Sequence, residues 1–226
     1  MLINYKVKIS EDRSFSYQVD LDRTAPNPDN IAFWTNLEFS RCRQCPLDPK
    51  TEFYCPVALD VQDVVNAFIG ICSFDEVDCT VETEKRGYFK RCSSQNVLKS
   101  LLGLIMMSSS CPILSKFRMV AYFHIPFFTS EELFIQCVSC YFLSQYQNQA
   151  QGKVADFKLD GLRPIWNDFK NVTHDFIARV RMASKTDASL NALISLNAFS
   201  GMSQRELDDL LNGLKDLKKD LRAADD

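Results

Sequence analysis

The sequence predicts an α+β fold, with a strand-rich part over residues 1–92 and a helical part over residues 93–226. Three observations predict it. Apolar residues recur at every second position in segments before residue 92, and at three- and four-residue steps after Ser93. Strands alternate faces with period two and helices with period 3.6, so the change of period marks a change of element type. No linker rich in Gly, Ser or Pro separates the parts, which favours one shared core over two domains. A chain of 226 residues that is 46% hydrophobic can bury a core of that size.

Residues 2–9 put Ile3, Tyr5, Val7 and Ile9 on one face, with Lys6 and Lys8 on the other. "SEDR" (10–13) turns the chain, and Phe15, Tyr17, Val19 and Leu21 alternate again, giving a hairpin with one buried face. "TAPNPDN" (24–30) reads as a loop, because its two prolines break any ladder. "IAFWTNLEF" (31–39) reads as an extra strand with Phe33, Leu37 and Phe39 inward. Asp60 is placed to cap a helix whose stripe is Val61, Val64, Val65 and Phe68, running toward Cys72. "EVDCTVET" and "GYFKRC" form a second hairpin, with Val77, Cys79 and Val81 inward.

Helical spacing then takes over. Val97, Leu98, Leu101, Leu102 and Ile105 form one stripe that ends near Ser110. Cys111-Pro112 interrupts it, a shorter helix runs to Tyr122, and "FHIPF" is a break. Thr129 and Glu132 match a capping box before a helix of about 20 residues. Leu162, Ile165, Phe169, Val172, Phe176 and Val180 mark a helix over 161–184. Asp187 starts another that Gly201 closes; "ASLNALISLNAFS" is apolar nearly all round, so that helix is expected to be central. Ser203 and Glu206 open a last helix carrying Leu207, Leu210, Leu214, Leu217 and Leu221. Its free end is a candidate contact for a protein partner or for a second copy of the chain.

Composition narrows the function. A net charge of −3 disfavours nucleic acid held by bulk charge. The start, "MLINYKVKIS", lacks the basic end and apolar run of a secretory signal, and "LLGLIMM" is too short to span a bilayer, so a cytoplasmic protein with no membrane contact is expected. Only seven glycines are present, with no GxGxxG and no GxxxxGK[ST], so the common nucleotide folds are not indicated. No HExxH, GxSxG or close carboxylate pair points to hydrolysis, and no catalytic residue is assigned.

Cysteine is where the sequence is informative. Nine cysteines in a reducing compartment point to buried thiols or metal ligands ahead of disulfides. "RCRQCPLDPKTEFYCPVA" (41–58) holds three of them. Cys42 and Cys45 form a CxxC, whose spacing lets both sulfurs face one ion, and Cys55 returns nine residues later past Pro46 and Pro49. Cys111 is the candidate fourth ligand, because Cys45, Cys55 and Cys111 each open a Cys-Pro-aliphatic unit. Cys-Pro endings favour a [4Fe–4S] cluster, whereas zinc is the commoner tenant of four cysteines. Core-filling thiols and a redox pair at Cys42 and Cys45 are the metal-free alternatives.

Other features read more plainly. Cys137 and Cys140, three apart among Phe134, Tyr141 and Phe142, read as core thiols. His124 in "YFHIPFF" reads as a buried, hydrogen-bonded side chain, with replacement ligand or general base as alternatives, and His174 as exposed. "RGYFKRC" opens like an RNA-recognition strand and then departs from it; with Lys6, Lys8, Lys85, Arg86, Lys90 and Arg91 it leaves a basic sheet face for RNA as an outside alternative.

The combination "CRQCPL…CPVAL…SLLGLIMMSSSCP" followed by "DASLNAL" resembles an uncharacterised family of bacterial proteins, over nearly the whole chain. The resemblance implies a bacterial cytoplasmic protein and the grouping of Cys42, Cys45, Cys55 and Cys111, and it implies no activity. The Cys-Pro-hydrophobic runs also look like cluster ligands of some DNA-repair helicases, from which only ligand chemistry carries over. The expected function is therefore a metal- or cluster-binding protein of regulatory or interaction type. An iron–sulfur redox protein or enzyme is the alternative.

Overall fold

The computed structural model describes residues 1–23, 30–183 and 187–199. Both predicted hairpins are present: β1 (Leu2–Lys8) with β2 (Ser14–Asp20), and β3 (Glu76–Glu82) with β4 (Gly87–Ser93). They join through β1 and β3 into one antiparallel sheet of order β2-β1-β3-β4. The register places Tyr5 opposite Tyr17 and Val81, and Val7 opposite Phe15 and Cys79, so the alternating apolar residues share one face. Ile3, Tyr5, Val7, Val19, Val77, Cys79 and Val81 are buried there.

The opposite face alternates in charge. Lys6 pairs with Glu82 at 2.6 Å and Arg91 lies 3.9 Å from Asp78. The face expected to be basic is therefore mixed, because β3 contributes Asp78 directly across from Lys8 and Arg91, and Glu82 on the diagonal from Lys6.

The stretch from 31 to 39 is not a strand. It forms two 3₁₀ turns, Phe33–Thr35 and Leu37–Ser40, with a single bridge between Asn36 and Tyr54. The Asn36 side chain accepts from the amide of Glu38 and starts the second turn. Trp34 and Leu37, three residues apart, point inward, whereas Phe33 is 71% exposed. The apolar residues follow a period of three, which short-range alternation imitates.

Helix α1 (Pro56–Ala67) begins earlier than expected. Cys55 is its N-cap and Pro56 supplies the first helical φ. Asp60 lies inside it, buried, with its carboxylate 2.6 Å from Arg23. Val61, Val64, Val65 and Phe68 face the core as predicted, while Cys72 lies beyond the helix and is exposed.

Helix α2 (Ser94–Ser108) is the central element. Leu98, Leu101, Leu102, Leu104, Ile105 and Met106 are all fully buried, because sheet, α1 and later helices cover it from every side. A short 3₁₀ turn (Leu114–Phe117) leads into α3 (Arg118–Tyr122). Helix α4 (Ser130–Ala150) starts on the predicted capping box, with both reciprocal bonds made between Thr129 and Glu132. Helix α5 (Leu162–Ala183) buries Leu162, Phe169, Val172, Phe176 and Val180.

Helix α6 (Asp187–Phe199) rests on α2, with Leu196 against Gly103, but it leaves Ile194 exposed. The all-round burial expected of it belongs to α2 instead. Gly201, the Ser203–Glu206 capping box and the leucine series after it lie outside the described residues. The buried side chains of the sheet and of the helices form one continuous cluster, from Ile3 to Leu196.

Candidate metal centre

The CxxC segment is a closed turn, with the amide of Cys45 donating to the carbonyl of Cys42 at 3.0 Å. Arg41 wraps it, donating to the carbonyls of Cys45 (3.0 Å) and Leu47 (2.5 Å). The two residues between the cysteines fasten the turn to α5. The Arg43 amide donates to Asp175 Oδ2 at 2.9 Å and its guanidinium to Oδ1 at 3.1 Å. Gln44 donates to the Asp168 carbonyl at 2.8 Å. Burial alone would raise the Asp175 carboxyl, but the Arg43 amide and guanidinium outweigh it and hold the group below its usual range.

Two of the three Cys-Pro units open helical turns. The amide of Leu59 donates to the Cys55 carbonyl (3.0 Å) and that of Ser115 to the Cys111 carbonyl (2.9 Å). Proline fixes φ and cannot donate, so the first free amides belong to the second and third residues after each cysteine. Those amides, Val57 and Ala58 at Cys55, and Ile113 and Leu114 at Cys111, favour thiolate on the sulfur. Cys55 nevertheless makes no capping hydrogen bond through its side chain. Cys45-Pro46 opens no helix; it leads into the loop that Arg41 holds.

The four predicted sulfurs influence one another through their charges. Cys42 feels the charge of Cys55 and Cys45, Cys55 feels Cys111, and Cys111 feels Cys45, which closes a circuit among all four. Cys55 is buried and the other three are partly buried. They do not form a finished cage: among the described residues, no three His, Cys, Asp or Glu side chains stand in a metal-holding group. Burial pushes the Cys42 thiol up to about 12, with Cys55 and Asp175 adding to it. Burial also raises Cys55 and Cys111. A cation among the sulfurs would reverse that preference.

Arg179 is the neighbour that the sequence reading missed. It falls three residues after Phe176 and seven after Val172, on the apolar stripe of α5, and it is 1% exposed. Its terminal nitrogens donate to the carbonyls of Trp34 and Asn36 (both 2.6 Å), Leu37 (2.9 Å) and Ser40 (2.8 Å), the residues leading into the cysteine turn. A charged residue on a buried stripe was the available signal.

The remaining candidates have other surroundings. Cys79, Cys92, Cys137 and Cys140 are buried, and all nine cysteines are free. His124 Nε2 lies 2.6 Å from the hydroxyl of Tyr5, which is 2.8 Å from Ser100 Oγ. His174 is exposed beside Asp175. Among the described residues, no helix is long and apolar enough to cross a membrane. No curated protein and no solved structure matches the chain. A family model described as a domain of unknown function matches residues 3–219.

Proposed function

The chain belongs to the DUF6901 family of domains of unknown function, and we propose that it is a metal- or cluster-binding protein of regulatory or interaction type. Cys42, Cys45, Cys55 and Cys111 are the ligands in this reading. What supports it is the mutual charge influence among these four sulfurs, which come from three chain segments, two of them in the strand-rich part and one in the helical part. Cys42 and Cys45 lie in a loop turn, partly exposed, whereas Cys55 and the cysteines on β3, β4 and α4 are buried in the core.

An ion drawn between these segments would tie the first part to the second, so that metal binding adds to folding stability. A bacterial cytoplasm goes with this reading, because thiolates persist as ligands where thiols stay reduced. Metal analysis of protein purified without oxygen tests it. One zinc per chain, or a brown iron–sulfur chromophore, supports a centre, and the brown form selects the redox alternative. Protein that carries neither, and that takes up neither when reconstituted, overturns the proposal.

A further inference from the structure

Cys137 and Cys140, the CxxC of α4, are three residues apart and therefore share a helical face. That face does not close completely on its neighbours. It opens into a cleft of about 390 Å³ between the Leu114–Phe117 turn, α3, α4 and the start of α5. Phe117, Val120 and Leu162 line the cleft, and Met119 joins the two cysteines in putting sulfur on its walls. Its volume exceeds the roughly 150 Å³ that encloses benzene and falls in the range of about 300–1,000 Å³ typical of small-molecule sites.

The polar residues of the lining are already satisfied from within the chain. Lys116 pairs with Asp168 at 3.1 Å, and the Tyr141 hydroxyl donates to Asp156 at 2.8 Å. Ser144 Oγ donates to the Tyr141 carbonyl (2.7 Å) and accepts from Gln145 Nε2 (3.2 Å). Gln145 Oε1 accepts from the Asp156 amide at 3.0 Å. None of the buried side-chain polar atoms left without a partner among the described residues belongs to the cleft. A charged ligand would give up its hydration there and meet no free opposite charge, whereas a neutral apolar one gives up only unfavourable contact with water.

We propose that this cleft binds a small neutral aromatic molecule of about two rings. Thiol and thioether sulfurs pack well against ring edges, and Phe117 offers a ring of its own, so the walls favour an aromatic body over a saturated one. The site is separate from the four-cysteine centre: Cys42, Cys45, Cys55 and Cys111 take no part in its lining.

2-Naphthol and 2-naphthoate share a two-ring body, and only the second is charged at neutral pH. Both are titrated calorimetrically into the full chain under reducing conditions. 2-Naphthol should bind with a Kd of about 10–300 μM, and 2-naphthoate at least about tenfold more weakly. Equal binding of the two, or no binding of 2-naphthol at about 1 mM, overturns the proposal. Iodoacetamide labelling mapped by mass spectrometry then locates the ligand in wild type, with no variant needed. Saturating 2-naphthol should slow alkylation of Cys140 at least about threefold and leave the exposed Cys72 unchanged. Bound 2-naphthol that leaves Cys140 unprotected sits elsewhere and overturns the assignment. Met119→Trp, which fills the cleft from a partly exposed position, should weaken 2-naphthol at least about tenfold, and an unchanged affinity in the folded variant overturns the assignment as well.

Discussion

Acid should find His124 before it finds the rest of the core. The Phe127 amide donates to Ser100 Oγ at 3.0 Å, Ser100 lies 2.8 Å from the Tyr5 hydroxyl, and Tyr5 lies 2.6 Å from His124 Nε2. Each hydroxyl has one hydrogen, so the chain runs consistently from Phe127 through Ser100 and Tyr5 to a neutral imidazole. Burial lowers the His124 pKa from its ordinary value to about 3. The unfolded chain therefore takes up a proton near pH 6.5 that the folded chain refuses until about pH 3. Stability from this group is complete above pH 6.5 and is lost as pH falls toward 3.

One proton corresponds to about 1.4 kcal/mol per pH unit. Part of the His124 residue reaches solvent, so about 1 kcal/mol per unit, or about 2–3 kcal/mol between pH 6.5 and 4, is the expected effect. Urea melts of wild type and His124→Asn across that range measure it. The variant should be less stable at pH 7 and markedly flatter with pH. A variant whose slope equals that of wild type would refute the buried neutral imidazole and the chain of hydrogen bonds behind it.

Three further outcomes follow from the same geometry. Zn²⁺ at a thousandfold excess over its Kd should stabilise wild type by about 4 kcal/mol, roughly 8–16 °C in Tm; differential scanning fluorimetry should find that gain abolished in Cys111→Ser and kept in Cys137→Ser. Asp175, held below the ordinary carboxylate range, adds stability that is present above about pH 4 and lost as pH falls further; Asp175→Asn should flatten that acid limb by less than about 1 kcal/mol, since Arg43 is largely exposed, and should speed alkylation of Cys42. A Cβ at Gly161 would stand 2.4 Å from Tyr141 Oη, so Gly161→Ala should break the 2.8 Å Tyr141–Asp156 bond and lower stability by about 1 kcal/mol, read by chemical denaturation.

Periodicity made the sheet, α2 and α5 legible, because each has a long stripe or alternation that only one element type satisfies, and the capping box of Thr129 and Glu132 marked α4. It misled at 31–39, where Trp34 and Leu37 follow a period of three that a short window cannot separate from alternation. It misled again at α6, whose apolar composition says nothing of which helix ends up in the middle. Asp60 looked like a cap because capping residues are polar, yet Pro56 already fixed the start of α1 four residues earlier. At the candidate centre, the shared Cys-Pro unit is what groups Cys111 with the loop cysteines, and metal analysis tests that grouping. Arg179 was not legible, because its partners are backbone carbonyls, which no side-chain pattern announces.

Helix α5 has a consequence for how this family can change. Arg43, Gln44 and Lys116 reach its Asp175, Asp168 carbonyl and Asp168 carboxylate, and Arg179 reaches out from it to residues 34–40. Inserting one residue between Asp168 and Arg179 would turn the later contacts by about 100° relative to the earlier ones. The helix could then satisfy one set or the other, never both. Length differences among relatives should spare that span, and a chain found to vary there should also have lost the cysteines it serves.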